Sequence, residues 1–197
     1  MRIKICNTTL IINFSFLAFL TLVLLIDKTG YILPCFLAVF MHEMGHLISM
    51  SVLKCAPNTI MLKVAAIEIS GFKPKTYKDR FIIAFMGVCF NILLFFVFYF
   101  LYKVTLIYNM LIYAAANLAV GFINLLPSLG LDGGDLLLLT LNCFLSYNKS
   151  MFIVKFISII VSVILISITF LKIINLSNNI SILIFGIYLF ISTLLTK

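Results

Sequence analysis

Six stretches of this chain are each long and apolar enough to read as membrane-spanning helices, at roughly 8–26, 30–53, 81–102, 105–126, 151–171 and 179–195. A bilayer core takes about 20 apolar residues of helix, and inside it only helices and closed barrels satisfy their own backbone. Of the 197 residues, 64% are hydrophobic and 10% charged, against about 45–50% and about 25% in soluble domains. This excludes an ordinary cytosolic globule and a disordered chain. The expected fold is an all-α membrane protein of about six transmembrane helices, forming one polytopic domain over 1–197. The first stretch is too long for a signal peptide, and the LLIDKTG that follows its core offers no small-residue cleavage site.

Two breaks interrupt the spans. The break at 54–80 contains a strand-like run, Thr59 to Gly71, with partial alternation and β-branched residues, followed by the basic loop FKPKTYKDR. The break at 127–150 opens with PSLGLDGGD, and its continuation LLLLTLNCFLSYNKS reads as a short interfacial helix. A small membrane-associated β segment and a loop dipping into the bilayer are therefore expected beside the helices.

The net charge of +8 comes from basic residues flanking the spans, which sets orientation and lipid contact and argues against nucleic-acid binding. With the N-terminus in the cytoplasm, the inside segments hold eleven: Arg2, Lys4, Lys54, Lys63, Lys73, Lys75, Lys78, Arg80, Lys149, Lys155 and Lys197. The outside holds three: Lys28, Lys103 and Lys172. The expected product is a multi-pass protein with both termini, and both breaks, on the cytoplasmic side. Five scattered cysteines, Cys6, Cys35, Cys55, Cys89 and Cys143, form no C-x-x-C pair and read as buried thiols.

Both histidines of the chain fall in one pattern, His42-Glu43-Met44-Gly45-His46, inside the second apolar stretch. On a helix, positions i and i+4 share a face about 6 Å apart, so two imidazoles can grip one zinc ion. The intervening Glu43 lies near enough to take a proton from a metal-bound water. Ionisable groups at membrane depth cost about 2.5–3.5 kcal/mol on insertion scales and are functional by default.

A catalytic zinc takes three protein ligands. With no further histidine, the candidates are Asp27, Glu68, Asp79, Asp132 and Asp135. Asp27 lies at the opposite membrane face in this topology. Glu68 sits in the strand-like run, and Asp79 beside Arg80 at a helix start reads as a cap or a surface charge. Asp132 and Asp135 remain, on the same side as the cytoplasmic end of the second helix.

The run from Asn124 through Pro127 to Leu131-Asp132-Gly133-Gly134, together with the earlier H-E-x-x-H, resembles the site-2 protease family of intramembrane zinc metalloproteases. That family pairs H-E-x-x-H with N-x-x-P-x-x-x-L-D-G. The resemblance implies Asp132 as the third zinc ligand and Asn124 as a group that holds the substrate backbone or the oxyanion. A further match, Gly87-Val88-Cys89-Phe90-Asn91, keeps the glycine and asparagine of the family's G-P-x-x-N but has Val88 for proline. Relatives often carry a basic residue after D-G-G. Here Asp135 stands instead and is the reserve ligand. The resemblance covers a catalytic core of about 30–140. One helix before the core and two after it are similar to the branch that includes stage IV sporulation protein FB, without that branch's CBS domain and without an inserted PDZ domain.

The implied activity is a zinc metalloendopeptidase cutting a membrane-spanning or membrane-bound protein near the cytoplasmic face. Glu43 is its base, and His42, His46 and Asp132 hold the metal. The lipid bilayer is its environment, with room for a regulatory membrane partner. The Thr59–Gly71 run would offer an edge to an extended substrate, and Gly133 and Gly134 would permit the positive φ of a tight turn. The alternative is a non-catalytic scaffold or metal-handling protein that keeps the motif.

Overall fold

The computed structural model describes residues 2–5, 8–63, 66–72, 74, 76–174 and 180–195. Cys6, Lys73, Lys75 and Lys197, which entered the cysteine and orientation arguments, lie outside them. The chain divides into two compact units that meet in sequence at Gly121 and Phe122.

The first unit opens with strands β1 (Arg2–Ile5) and β2 (Thr8–Ile12), then helices α1 (Phe14–Ile26) and α2 (Ile32–Val52). Strands β3 (Thr59–Lys63) and β4 (Ala66–Ser70) follow, then α3 (Tyr77–Thr105) and α4 (Tyr108–Asn124), which runs on into the second unit. The Thr59–Gly71 run forms the β3–β4 hairpin, with Met61 opposite Glu68. The hairpin belongs to a four-stranded sheet in the order β1-β2-β3-β4, in which β2 pairs parallel to β3 with Thr9 opposite Thr59 and Ile12 opposite Leu62. Thr8 Oγ1 donates to Pro57 O at 2.8 Å and Thr9 N to Asn58 O at 2.8 Å, locking that register.

The first expected span, 8–26, is thus divided. Its opening residues are strand, and the helix proper has 13 residues, about 20 Å of rise. In the α1–α2 turn, Asp27 Oδ1 accepts from Thr29 N, Thr29 Oγ1 and Gly30 N, and Asp27 Oδ2 accepts from Ile32 N. The Thr29 hydroxyl first, aided by these amides, holds the Asp27 carboxyl below its usual value. Helix α3 begins at a capping box: Asp79 N donates to Thr76 Oγ1 and Thr76 N to Asp79 Oδ2, so Asp79 is the cap expected of it.

Helices α2 and α3 pack through complementary stripes at helical spacing. Pro34, Ala38, His42, Gly45, His46 and Ser49 are buried on α2, and Ile83, Ala84, Gly87, Val88 and Asn91 on α3. Small residues let the backbones approach closely. A Cβ added at Gly45 would lie 2.7 Å from Met86 O and 3.0 Å from Gly87 Cα.

The second unit holds the turn 125–131, α5 (Asp132–Asn142), α6 (Tyr147–Ile174) and α7 (Ile180–Leu195). Leu129, Leu138 and Val154 form its core beside Leu137, Leu141 and Met151. Ser158 Oγ accepts from Leu129 N at 2.9 Å and donates to Val154 O at 2.7 Å, tying the turn to α6. The expected short helix over LLLLTLNCFLSYNKS is helical only to Asn142, as the body of α5, and its last four residues open α6.

The glycines of D-G-G serve a purpose other than the one anticipated. Positive φ falls at Gly130 (88°), one of three glycines with it, and not at Gly133 or Gly134. These two are helical, and a Cβ on them would collide with Leu125 O and Ser128 O respectively. Their role is to let the helix start lie against the turn.

Among the described residues, Ile32–Val52, Tyr77–Thr105 and Tyr147–Phe170 are long and apolar enough to cross a membrane, which marks an integral membrane protein. Helices α1, α4 and α7 are apolar but shorter, with 13, 17 and 16 residues.

Candidate metal centre

Helical spacing on α2 brings His42 and His46 together. Their rings meet edge to face, with centroids 4.8 Å apart, and their Nε2 atoms lie 3.2 Å from one another. Both side chains are buried, 3% and 7% exposed. Each ring is pinned at its other nitrogen by α3. His46 Nδ1 donates to Ile83 O at 2.7 Å. A carbonyl oxygen only accepts, so the proton sits on Nδ1.

His42 Nδ1 lies 2.8 Å from Asn91 Oδ1. The Asn91 amide presents its NH2 to Ala38 O at 3.1 Å and to Asn117 Oδ1 at 3.3 Å. Its oxygen is therefore the atom that faces His42, and His42 also carries its proton on Nδ1. Both imidazoles then direct Nε2 lone pairs toward a common point.

Two lone pairs at 3.2 Å cannot bond to each other; a shared cation reconciles them. Two nitrogens at about 2.05 Å from a tetrahedral ion would stand about 3.3 Å apart, close to the separation found. The pair is therefore suited to hold a metal ion.

Gly87 gives the two rings room to lie against α3. A Cβ there would lie 2.6 Å from His46 Nε2 and Cε1 and 2.8 Å from His42 Cε1. Ser49 Oγ donates to His46 O at 2.7 Å, bracing α2 just beyond His46.

Glu43 is half-buried on the same helix. Asn124, half-buried, is the last residue of α4, and Asp132, also half-buried, is the first residue of α5, in the second unit. Asp135 is exposed one turn further on. Asp27 commits both carboxylate oxygens to its turn, and Glu68 lies in β4. Among the described cysteines, Cys55 is buried, while Cys35 and Cys143 are exposed. The reading of all five as buried thiols therefore fails for these two.

The sequence offered Asn91 only as part of the G-P-x-x-N resemblance, with no role, and no motif pointed to Asn117. A buried amide within an apolar helix was the available signal.

No family model matches this chain, and no curated protein matches it in sequence. Its structure is similar to that of the Site-2 Protease from Methanocaldococcus jannaschii, with a TM-score of 0.70 over 98% of this chain and 93% of that one, at 19% identity. The chain has the fold of a site-2 protease.

Proposed function

We propose that this protein is an intramembrane zinc metalloprotease that cuts a membrane-spanning or membrane-bound protein near the cytoplasmic face. The observation that carries the reading is the pair of Nε2 atoms 3.2 Å apart, with both Nδ1 positions engaged by α3. The likeness in fold to a site-2 protease supports it.

His42 and His46 would supply two ligands, and Asp132, carried by the N-x-x-P-x-x-x-L-D-G resemblance and half-buried at the head of α5, the third. Zinc held by them would lower the pKa of a bound water to about 7 and polarise the scissile carbonyl. The Glu43 carboxylate takes the proton of the attacking water and passes it to the leaving amine nitrogen. Asn124 donates its amide NH2 to the substrate backbone or to the developing oxyanion.

A helical substrate hides its peptide bonds and must be extended before it is cut. Strand β4 ends the sheet among the described strands, and an extended segment adding to that edge would be held in cleavable form.

The test is Glu43→Gln with zinc and cleavage both measured. The variant should keep its zinc and lose proteolysis by about 100-fold or more, and its substrate should accumulate uncut in cells. A variant that cleaves at the wild-type rate overturns the mechanism. His46→Ala and Asp132→Ala should each lose bound zinc, and full occupancy in both removes the ligand assignment. Zinc without proteolysis on any membrane substrate would favour the metal-handling alternative.

A further inference from the structure

A chain of hydrogen bonds runs from His42 on α2 through α3 into α4. His42 Nδ1 donates to Asn91 Oδ1, Asn91 Nδ2 donates to Asn117 Oδ1, and Asn117 Nδ2 donates to Tyr113 O at 2.9 Å. Asn91 is 0% exposed and Asn117 2%. Two amides so placed within apolar helices are costly unless fully bonded.

We propose that Asn117 is a positioning residue for the metal centre, setting the tautomer of His42 through Asn91. The inference rests on the metalloprotease reading for its consequence, though not for its geometry.

The argument turns on the orientation of one amide. If Asn91 were reversed, its NH2 would face His42 Nδ1, and the imidazole proton would move to Nε2, where the metal must bind. Reversal would also turn Asn91 Oδ1 toward Ala38 O and Asn117 Oδ1, setting acceptor against acceptor twice. Ala38 O opposes it from α2 and Asn117 from α4.

Asn117 can oppose it only because its own amide is fixed. Its NH2 is held one turn back by Tyr113 O, which leaves Oδ1 as the atom presented to Asn91. The partner on the far nitrogen of a metal-bound histidine is known to hold tautomer and ring orientation, and its loss typically costs 10–100-fold in affinity. Asn117, one bond further out, should act at the lower end of that range.

The experiment compares Asn117→Leu, Asn117→Ala and Asn117→Asp in the full chain, using zinc alone as the probe. Leu and Ala remove the acceptor, one preserving bulk and the other not. Both should raise the zinc dissociation constant about 10-fold. Asp, protonated at that depth, keeps a carbonyl acceptor for Asn91 and a hydroxyl donor for Tyr113 O, and should restore affinity to within about 2-fold.

Nitrogen NMR of the metal-free protein reads the His42 tautomer directly. Wild type and Asn117→Asp should carry the proton on Nδ1, and Asn117→Leu and Asn117→Ala a mixture with Nε2–H. A His42 tautomer unchanged in both Leu and Ala variants overturns the inference. Wild type that takes up no zinc would instead overturn the function reading, and the tautomer measurement would still judge Asn117.

Discussion

Gly87→Ala isolates the metal centre in a single methyl group. The added carbon would lie 2.6 Å from His46 Nε2 and 2.8 Å from His42 Cε1, where non-bonded carbon contacts settle at about 3.5 Å or more. Relief requires a shift of about 0.8 Å. The rings have little freedom to provide it, because His46 is tied to Ile83 O and His42 to Asn91. The helices cannot separate cheaply, because Gly45 sits against Met86 O and Gly87 Cα. Metal–ligand distances tolerate about 0.2 Å, so the displacement exceeds the tolerance several-fold. The zinc dissociation constant should rise about 100-fold or more, measured by calorimetry on detergent-solubilised protein, while helical content by circular dichroism stays near wild type. Gly45→Ala is the contrasting variant. Its methyl meets α3 at Met86 O (2.7 Å) and Phe90 Cβ (2.9 Å), so it should lower stability by about 1–3 kcal/mol. Its folded fraction should bind zinc as wild type does. Wild-type zinc affinity in Gly87→Ala would refute the assignment of the two Nε2 atoms as ligands.

Other perturbations separate the parts of the fold. Gly134→Ala would drive a methyl into Ser128 O, so the second unit should melt lower by about 1–3 kcal/mol in thermal unfolding. Thr76→Ala removes the acceptor for Asp79 N at the start of α3 and should cost about 1 kcal/mol in the same assay. Asp27 has its folded pKa below the ordinary 3.8, chiefly through the Thr29 hydroxyl. Its stabilisation is therefore complete above that ordinary value and disappears as pH falls through the lower folded one. Asp27→Asn should melt below wild type near neutral pH, and the gap should close in acid. A gap that is the same at every pH would show that the Asp27 charge plays no part in it.

The histidine pair was legible because it depends on one helix. Residues four apart share a face whatever the rest of the chain does, so His42 and His46 could be joined from the sequence alone. The α3 contributions were half legible. Gly87 and Asn91 stand four apart and were visible as a pattern, but the pattern did not say that one faces the imidazoles and the other holds His42. Asn117 was illegible, because its role is defined by residues on two other helices and by no spacing of its own.

The first expected span failed for a related reason. TTLIINFSFLAFLTLVLLI is apolar throughout, and a short apolar run does not distinguish strand from helix. Pairing with Thr59–Leu62, some fifty residues away, decided Thr8–Ile12 as strand. Likewise D-G-G suggested a tight turn with positive φ, because a close approach to Leu125 O and Ser128 O cannot be read along the chain.

The parallel pairing of β2 with β3 carries a consequence for how the protein is made. Between these strands lie α1 and α2, so the sheet cannot close until the ribosome has released both helices and the start of β3. Until then β2 offers one edge to solvent with no native neighbour. The helix that bears His42 and His46 is therefore synthesised before β2 and β3 can pair. A shortened or slowed α2 would leave the nascent N-terminus exposed to quality-control proteases and chaperones, whatever its effect on catalysis.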